Sequence, residues 1–176
     1  MLSEDETLII RQEKPSEFQE IYNLVKAAFQ TAEVSNGKEQ DYVDKLRASG
    51  NYLPELALVA EEDTKLVGHI MLTKTYVALA DSKFEALLLA PLSVELAYRN
   101  RGVGSKLVNE SFRLAKHSGY KAVFVVGNPA YYGRFGFKPS VLFGIKHVPP
   151  IPDQNVMAYE LSAGTLAGVA GTVTFT

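Results

Sequence analysis

The sequence predicts an α+β fold, in effect a three-layer α/β arrangement: a mixed, mostly antiparallel central sheet flanked by helices. Three observations carry that expectation. Residues 15–29 and 39–49 repeat their apolar side chains at helical spacing. Two strand-like runs follow, joined by the short polar turn Glu62-Asp63-Thr64-Lys65, as in an antiparallel hairpin. Residues 87–126 then read as strand, glycine-rich turn, helix and strand, a right-handed crossover between parallel neighbours. With 176 residues and no internal repeat, the chain is expected to form a single domain over 1–176.

The elements follow in order. Residues 7–11 (TLIIR) are a short strand candidate. A helix is entered at Pro15-Ser16, where proline's missing N–H costs nothing, and Phe18, Ile21, Tyr22, Val25, Ala28 and Phe29 line one face. Residues 31–38 are a polar connection with the turn signal Asn36-Gly37, and Glu39 opens a second helix carrying Tyr42, Val43 and Leu46. Strands are expected at 56–61 and 66–80. His69, set among apolar neighbours in the second, reads as a packed or hydrogen-bonded histidine rather than a catalytic one. Asp81-Ser82-Lys83 turns the chain into a central strand at 87–94, an apolar run interrupted by Pro91, whose missing amide hydrogen breaks or bulges the ladder.

From Ser105 the spacing is helical, with Leu107, Val108, Phe112 and Ala115 on one side and Gly119 as the stop. Residues 120–126 (YKAVFVV) form a further buried strand, and Asn128 with Pro129 caps and opens a short helix. Phe137 and Pro139 begin an extended segment, 149–152 is a loop, and 156–161 is the last strand expected. Residues 168–176 read as a tail covering an edge. His117 at a helix end and His147 in a loop are assigned surface roles.

Composition excludes several classes. Hydrophobic residues at 47% and charged residues at 22% are ordinary globular values. A net charge of −2 argues against a nucleic-acid surface driven by bulk charge. With no cysteine there is no disulfide, thiolate metal site or cysteine nucleophile, and no metal is expected. The N-terminus lacks a basic and apolar leader, and no apolar run approaches the roughly 20 residues of a membrane helix. A cytoplasmic protein without nucleic-acid or membrane partners is expected, monomeric or homodimeric.

The chemistry concentrates in the turn Arg99-Asn100-Arg101-Gly102-Val103-Gly104-Ser105. A helix's first amides lack internal partners and carry the positive end of its dipole, glycines admit a ligand close to the backbone, and arginines add forked donors. Together they suit a phosphate or diphosphate, the alternative being a tight turn with solvated arginines. A dinucleotide fingerprint is disfavoured because Leu107 stands where its third glycine belongs, which also weakens a nucleotide-dependent oxidoreductase; no Walker loop is present.

The R-x-x-G-x-G pattern after Leu92-Ser93-Val94 resembles motif A of the GNAT superfamily of N-acetyltransferases. A second match lies one helix and one strand downstream: Ala130 to Phe137 (AYYGRFGF) resembles that family's motif B, with Tyr132 followed by Gly136-Phe137. The run resembles most closely a YhbS-like subgroup of predicted bacterial acetyltransferases, and the likeness covers nearly the whole chain. It implies a sheet splayed after the fourth strand and an acetyl-CoA co-substrate. It also implies acetyl transfer to a primary amine by direct attack on the thioester. Coenzyme contacts would come from Leu92, Ser93, Val94, Arg99, Asn100, Arg101, Gly102, Val103, Gly104, Ser105 and Asn128. The two-helix segment at 15–50 would form one wall of the acceptor site.

By the same resemblance Tyr132 is the general acid, since a phenol of pKa about 10 stays protonated at neutral pH. The family's glutamate base has no counterpart in the uncharged strand LLLAPLSV; Glu33, Glu39 and Glu85 remain open as bases through water. Leu96 replaces a common proline and is treated as neutral. The alternative function is a non-catalytic acyl-CoA-binding sensor or structural module.

Overall fold

The computed structural model of the chain describes residues 7–32 and 35–175. These fall into two compact units, neither of them a continuous piece of sequence. The first takes the chain up to Leu72 together with Ala90–Arg113; the second takes Thr73–Leu89 and the chain from Leu114 onward.

In the first unit, β1 (Leu8–Gln12) pairs antiparallel with β2 (Ala57–Glu62), and β2 pairs antiparallel with the start of β3 (Lys65–Ala78). Asp63 and Thr64 make the turn between β2 and β3 with φ of 50° and 67°, the left-handed pair that matches the strands' twist. A 3-10 turn at Pro15–Glu17 leads into α1 (Phe18–Phe29), and α2 is Glu39–Ala48. Their apolar faces supply Ile21, Val25, Val43 and Leu46 to a core closed by Ala57 and Val59 of β2 and Met71 of β3. Burying one such side chain contributes about 1.5–3 kcal/mol, so the helical period is what fixes these two helices in place. The end of β4 (Lys83–Val94) is tied to β3 where the Glu95 amide donates to the Val67 carbonyl at 2.8 Å.

The start of α3 (Val103–His117) belongs to this unit as well. It rests on β3 at Gly68, where a Cβ would stand 2.9 Å from Leu107 Cδ1 and 3.0 Å from Val103 Cγ1. A glycine on the strand thus allows the helix's first turn to sit this close.

In the second unit β4 runs parallel to β5 (Ala122–Val126) at Leu87↔Val123 and Leu88↔Phe124. β5 pairs antiparallel with β8 (Val156–Glu160), and β8 with the two-residue β6 (Lys138–Pro139). The far end of α3 stops as expected at Gly119, whose φ of 92° lets the Tyr120 amide return to the Ala115 carbonyl at 3.1 Å. Val77, Phe124, Ile145, Val156, Leu166 and Val173 make this unit's core.

The mixed, mostly antiparallel sheet with the parallel β4–β5 pair, and the flanking helices, are the fold class the sequence predicts. Three elements differ. The strand at 156–160 is not the last: β9 (Gly171–Val173) pairs antiparallel with β3 at Val77↔Val173 and parallel with β7 (Ile145–His147). The tail is therefore part of the sheet, and Gly171 is required there because a Cβ would collide with the Ala78 carbonyl oxygen. His147 accordingly lies on β7, not in a loop, and its Nε2 sits 2.8 Å from the Asp153 carboxylate. α3 begins at Val103, two residues before Ser105, because Gly104 adopts helical geometry and is buried. Among the described residues no helix is long and apolar enough to cross a membrane.

Candidate coenzyme and catalytic site

The first unit carries Leu92, Ser93, Val94 and the whole turn from Arg99 to Ser105. β4 ends at Val94, a 3-10 turn covers Leu96–Tyr98, and the chain reverses through Asn100 (φ 63°) and Gly102 (φ 80°) into α3. Both residues are of types that tolerate left-handed backbone. The first helical bond donated after the turn runs from the Lys106 amide to the Gly102 carbonyl at 3.0 Å. The amides of Val103, Gly104 and Ser105 are thus the helix's orphan donors. A Cβ at Gly102 would meet nothing within 4 Å, so the space over the turn is open.

The two arginines are placed differently. Arg101 is exposed, lies 5.2 Å from the centre of the Tyr98 ring, and makes no hydrogen bond or ion pair among the described residues. Arg99 donates through Nε to the Val94 carbonyl (3.3 Å), through Nη1 to Thr31 Oγ1 (2.9 Å) and through Nη2 to the Ala28 carbonyl (2.8 Å). Ser93 Oγ is buried with no hydrogen-bond partner among the described residues, and Leu96 is an exposed apolar residue of the 3-10 turn.

The second unit carries Asn128 and Tyr132. Asn128 caps α4 (Pro129–Tyr132), its Oδ1 accepting from the Ala130 amide at 2.9 Å, as the sequence predicts. The Tyr132 ring meets Tyr131 and Phe137 edge-on, with centroids 5.0 and 5.8 Å away. Burial first, and the neighbouring Tyr131 second, push its phenol above the ordinary tyrosine range. The proton therefore stays on the oxygen throughout the neutral range. Beneath the ring lies Gly127, where a Cβ would overlap Tyr132 Cε2 and stand 2.8 Å from Cδ2.

Of the candidate bases, Glu33 lies outside the described residues. Glu39 begins α2, with Oε1 accepting from the Asn36 amide and Oε2 buried with no hydrogen-bond partner among the described residues. Glu85 is exposed on β4. Among the described residues no cluster of three or more His, Cys, Asp or Glu forms a metal site.

Sequence reasoning missed a buried polar cluster in the first unit. Glu13, just after β1, accepts a forked pair from Arg47 of α2 (both 2.9 Å), a bond from the Tyr52 hydroxyl (2.7 Å) and one from His69 Nε2 (2.8 Å). Burial alone would raise the Glu13 carboxyl, yet these donors outweigh it and hold the group at about 2. Burial lowers His69 against the opposing pull of Glu13, so the ring is neutral, with Nε2–H donating and Nδ1 left without a partner. The available signal was a histidine in the run Leu66-Val67-Gly68-His69-Ile70, since a buried ring nitrogen requires a partner.

The family model described as an acetyltransferase (GNAT) domain matches residues 9–140. The chain belongs to the GNAT family of acetyltransferases. Among curated relatives, the uncharacterized N-acetyltransferase YjhQ of Escherichia coli is 35% identical over 132 residues, covering 73% of this chain and 71% of that protein. Among solved structures, Escherichia coli YhbS in complex with CoA superposes with a TM-score of 0.84 at 27% identity, covering 97% of this chain and 90% of that one. A Brucella melitensis GNAT acetyltransferase bound to acetyl-CoA gives 0.76 at 28% identity, covering 96% of each. This GNAT chain thus shares its architecture, nearly end to end, with proteins solved as coenzyme complexes.

Proposed function

We propose that this GNAT chain transfers the acetyl group of acetyl-CoA to a primary amine. The acceptor is a small molecule or a protein. The observation that carries the reading is the turn at 99–105, with orphan amides at the start of α3, open space over Gly102 and the uncommitted Arg101 guanidinium. Coenzyme complexes of two similar structures support it. The amides of residues 100–105 and the Arg101 guanidinium take the diphosphate, while Arg99 is bonded to protein groups behind the turn. Leu92, Ser93 and Val94 offer extended backbone to the pantetheine arm, and a strand amide polarises the thioester carbonyl. Asn128 belongs to the same coenzyme-binding set.

In the reaction the amine nitrogen bonds to the carbonyl carbon, the carbon–sulfur bond breaks, and the nitrogen's surplus proton leaves to solvent or to a base through water. Tyr132 is the general acid, giving its phenolic proton to the departing thiolate and regaining one from solvent. A phenol held above its ordinary range donates only when positioned, which is the task of the aromatic packing around it.

The test is a denaturation-temperature screen with acetyl-CoA followed by an amine panel read out as free thiol. Saturable stabilisation with amine-dependent thiol release is expected. Stabilisation without thiol release across a broad panel would assign the chain to non-catalytic acyl-CoA binding, and no stabilisation at all would remove the coenzyme.

A further inference from the structure

We propose that the two arginines of the coenzyme turn divide their labour. Arg101 is the side-chain ligand of the diphosphate. Arg99 is a positioning residue that locks the end of β4 to the end of α1 and holds the seat's backbone in register. The inference deepens the coenzyme-binding reading above and rests on it.

The geometry is that of a three-way clamp. Each nitrogen of the Arg99 guanidinium donates to a different segment: Nε to Val94 at the end of β4, Nη2 to the carbonyl of Ala28 in the last turn of α1, and Nη1 to Thr31 just beyond it. The Ala28 carbonyl lacks its helical partner, because the Ala32 amide, which would close the next turn, donates to Phe29 instead; besides Arg99 it accepts a 3.5 Å bond from the Thr31 hydroxyl. A cation at a helix C-terminus is also favoured by the dipole. The three acceptors are met by three separate nitrogens of a planar fork, a spread that a lysine, whose three donors share one nitrogen, does not reproduce. Turning Arg99 toward a phosphate would take a charged donor from the Val94 and Ala28 carbonyls and leave Ala28 with the long 3.5 Å bond from the Thr31 hydroxyl. Arg101, two residues later, carries the same charge and, among the described residues, has only a ring contact to give up.

The clamp matters to the reaction because Val94 closes the stretch that is to carry the pantetheine arm. Without it, the coenzyme's charged end would still be gripped while the backbone beside the thioester loses its fixed position. Affinity and turnover should therefore separate.

The experiment compares Arg101→Ala, Arg99→Gln and Arg99→Lys in the full chain, measuring acetyl-CoA Kd by calorimetry at low and high salt, and single-turnover acetyl transfer at saturating coenzyme. Arg101→Ala is expected to weaken acetyl-CoA tenfold or more and to flatten its salt dependence. Arg99→Gln is expected to keep Kd within about threefold with the wild-type salt dependence, while single-turnover rate falls tenfold or more. Arg99→Lys, which retains the charge, should lose rate in the same way; it serves as the second variant should the glutamine protein fold poorly. A loss of affinity and salt dependence in Arg99→Gln equal to that in Arg101→Ala would make Arg99 a ligand and overturn the inference while leaving the seat intact. Unchanged rate in both Arg99 variants would overturn it as well. Unchanged affinity in Arg101→Ala would sink the seat itself, and the inference with it.

Discussion

A methyl group at position 127 would land on the Tyr132 ring, overlapping one edge carbon and crowding the next. The glycine's carbonyl and amide are both fixed by Asn155, at 3.0 and 2.9 Å, so the strand end has little freedom to retreat and the ring must tilt. If Tyr132 is the proton donor, Gly127→Ala should lower turnover about tenfold while acetyl-CoA Kd stays within about twofold, because misplacing a general acid forfeits part of its typical 10²–10⁴-fold contribution. Tyr132→Phe should cost more, on the order of 100-fold, and adding Gly127→Ala to it should cost nothing further. Full additivity in that cycle would separate the glycine from the tyrosine's chemistry.

The Glu13 cluster makes a different kind of prediction, in pH. The folded chain resists protonating buried His69, so on acidification the unfolded chain binds the extra proton and stability falls as pH drops below about 6.5. Glu13, held at about 2 against an ordinary 4.5, adds a second loss between those values, of about 3 kcal/mol in all. Urea midpoints at pH 7.5, 6 and 5 should decline for the wild type and be nearly flat for His69→Gln; an equal slope in both would assign the effect elsewhere. His69 itself was legible as a bonded histidine, but its partner was not. Glu13 lies 56 residues away, and single-sequence patterns carry no signal at that range.

Elements with a period are legible in the sequence, and those without one are not. α1 and α2 fall where apolar spacing puts them, because 12 and 10 residues of repeat outweigh any local ambiguity. β7 and β9 have three residues each, too few to show alternation, and their pairing with each other and with β3 is decided by tertiary contacts. The sequence puts the start of α3 at Ser105 because Gly102-Val103-Gly104 reads as a turn by composition, whereas Val103 and Leu107 dock on Gly68 and the helix begins two residues earlier. That docking sets where the orphan amides point. Gly68→Ala should cost less than a larger residue, since the nearest atom is the end of a flexible leucine, but not nothing, since the stiffer Val103 Cγ1 stands at 3.0 Å. Gly68→Val should cost about 1–3 kcal/mol of stability by overpacking and, by lifting the helix start, raise acetyl-CoA Kd severalfold. Calorimetry on the two variants checks it, and a valine protein with wild-type affinity would detach the helix's seating from the coenzyme.

At the scale of the molecule, the two compact units share their elements: the chain passes from one to the other inside β3 after Leu72, inside β4 after Leu89 and inside α3 after Arg113. None of these crossings is a linker, so melting either unit alone would break two hydrogen-bonded strands and a helix in mid-course. Separable domains usually meet at exposed, flexible connections instead. The expected consequence is one cooperative transition. The chain has no tryptophan, so Phe29→Trp and Phe143→Trp, each packed against the core of its own unit, would serve as independent reporters. Their urea midpoints should coincide, and acetyl-CoA at a hundred times its Kd should raise both unfolding free energies by the same amount, about 2.7 kcal/mol, although the turn at 99–105 belongs to the first unit only. Midpoints that separate, or a coenzyme shift confined to the Phe29→Trp signal, would mean that strands running through both units do not bind them into one folding unit.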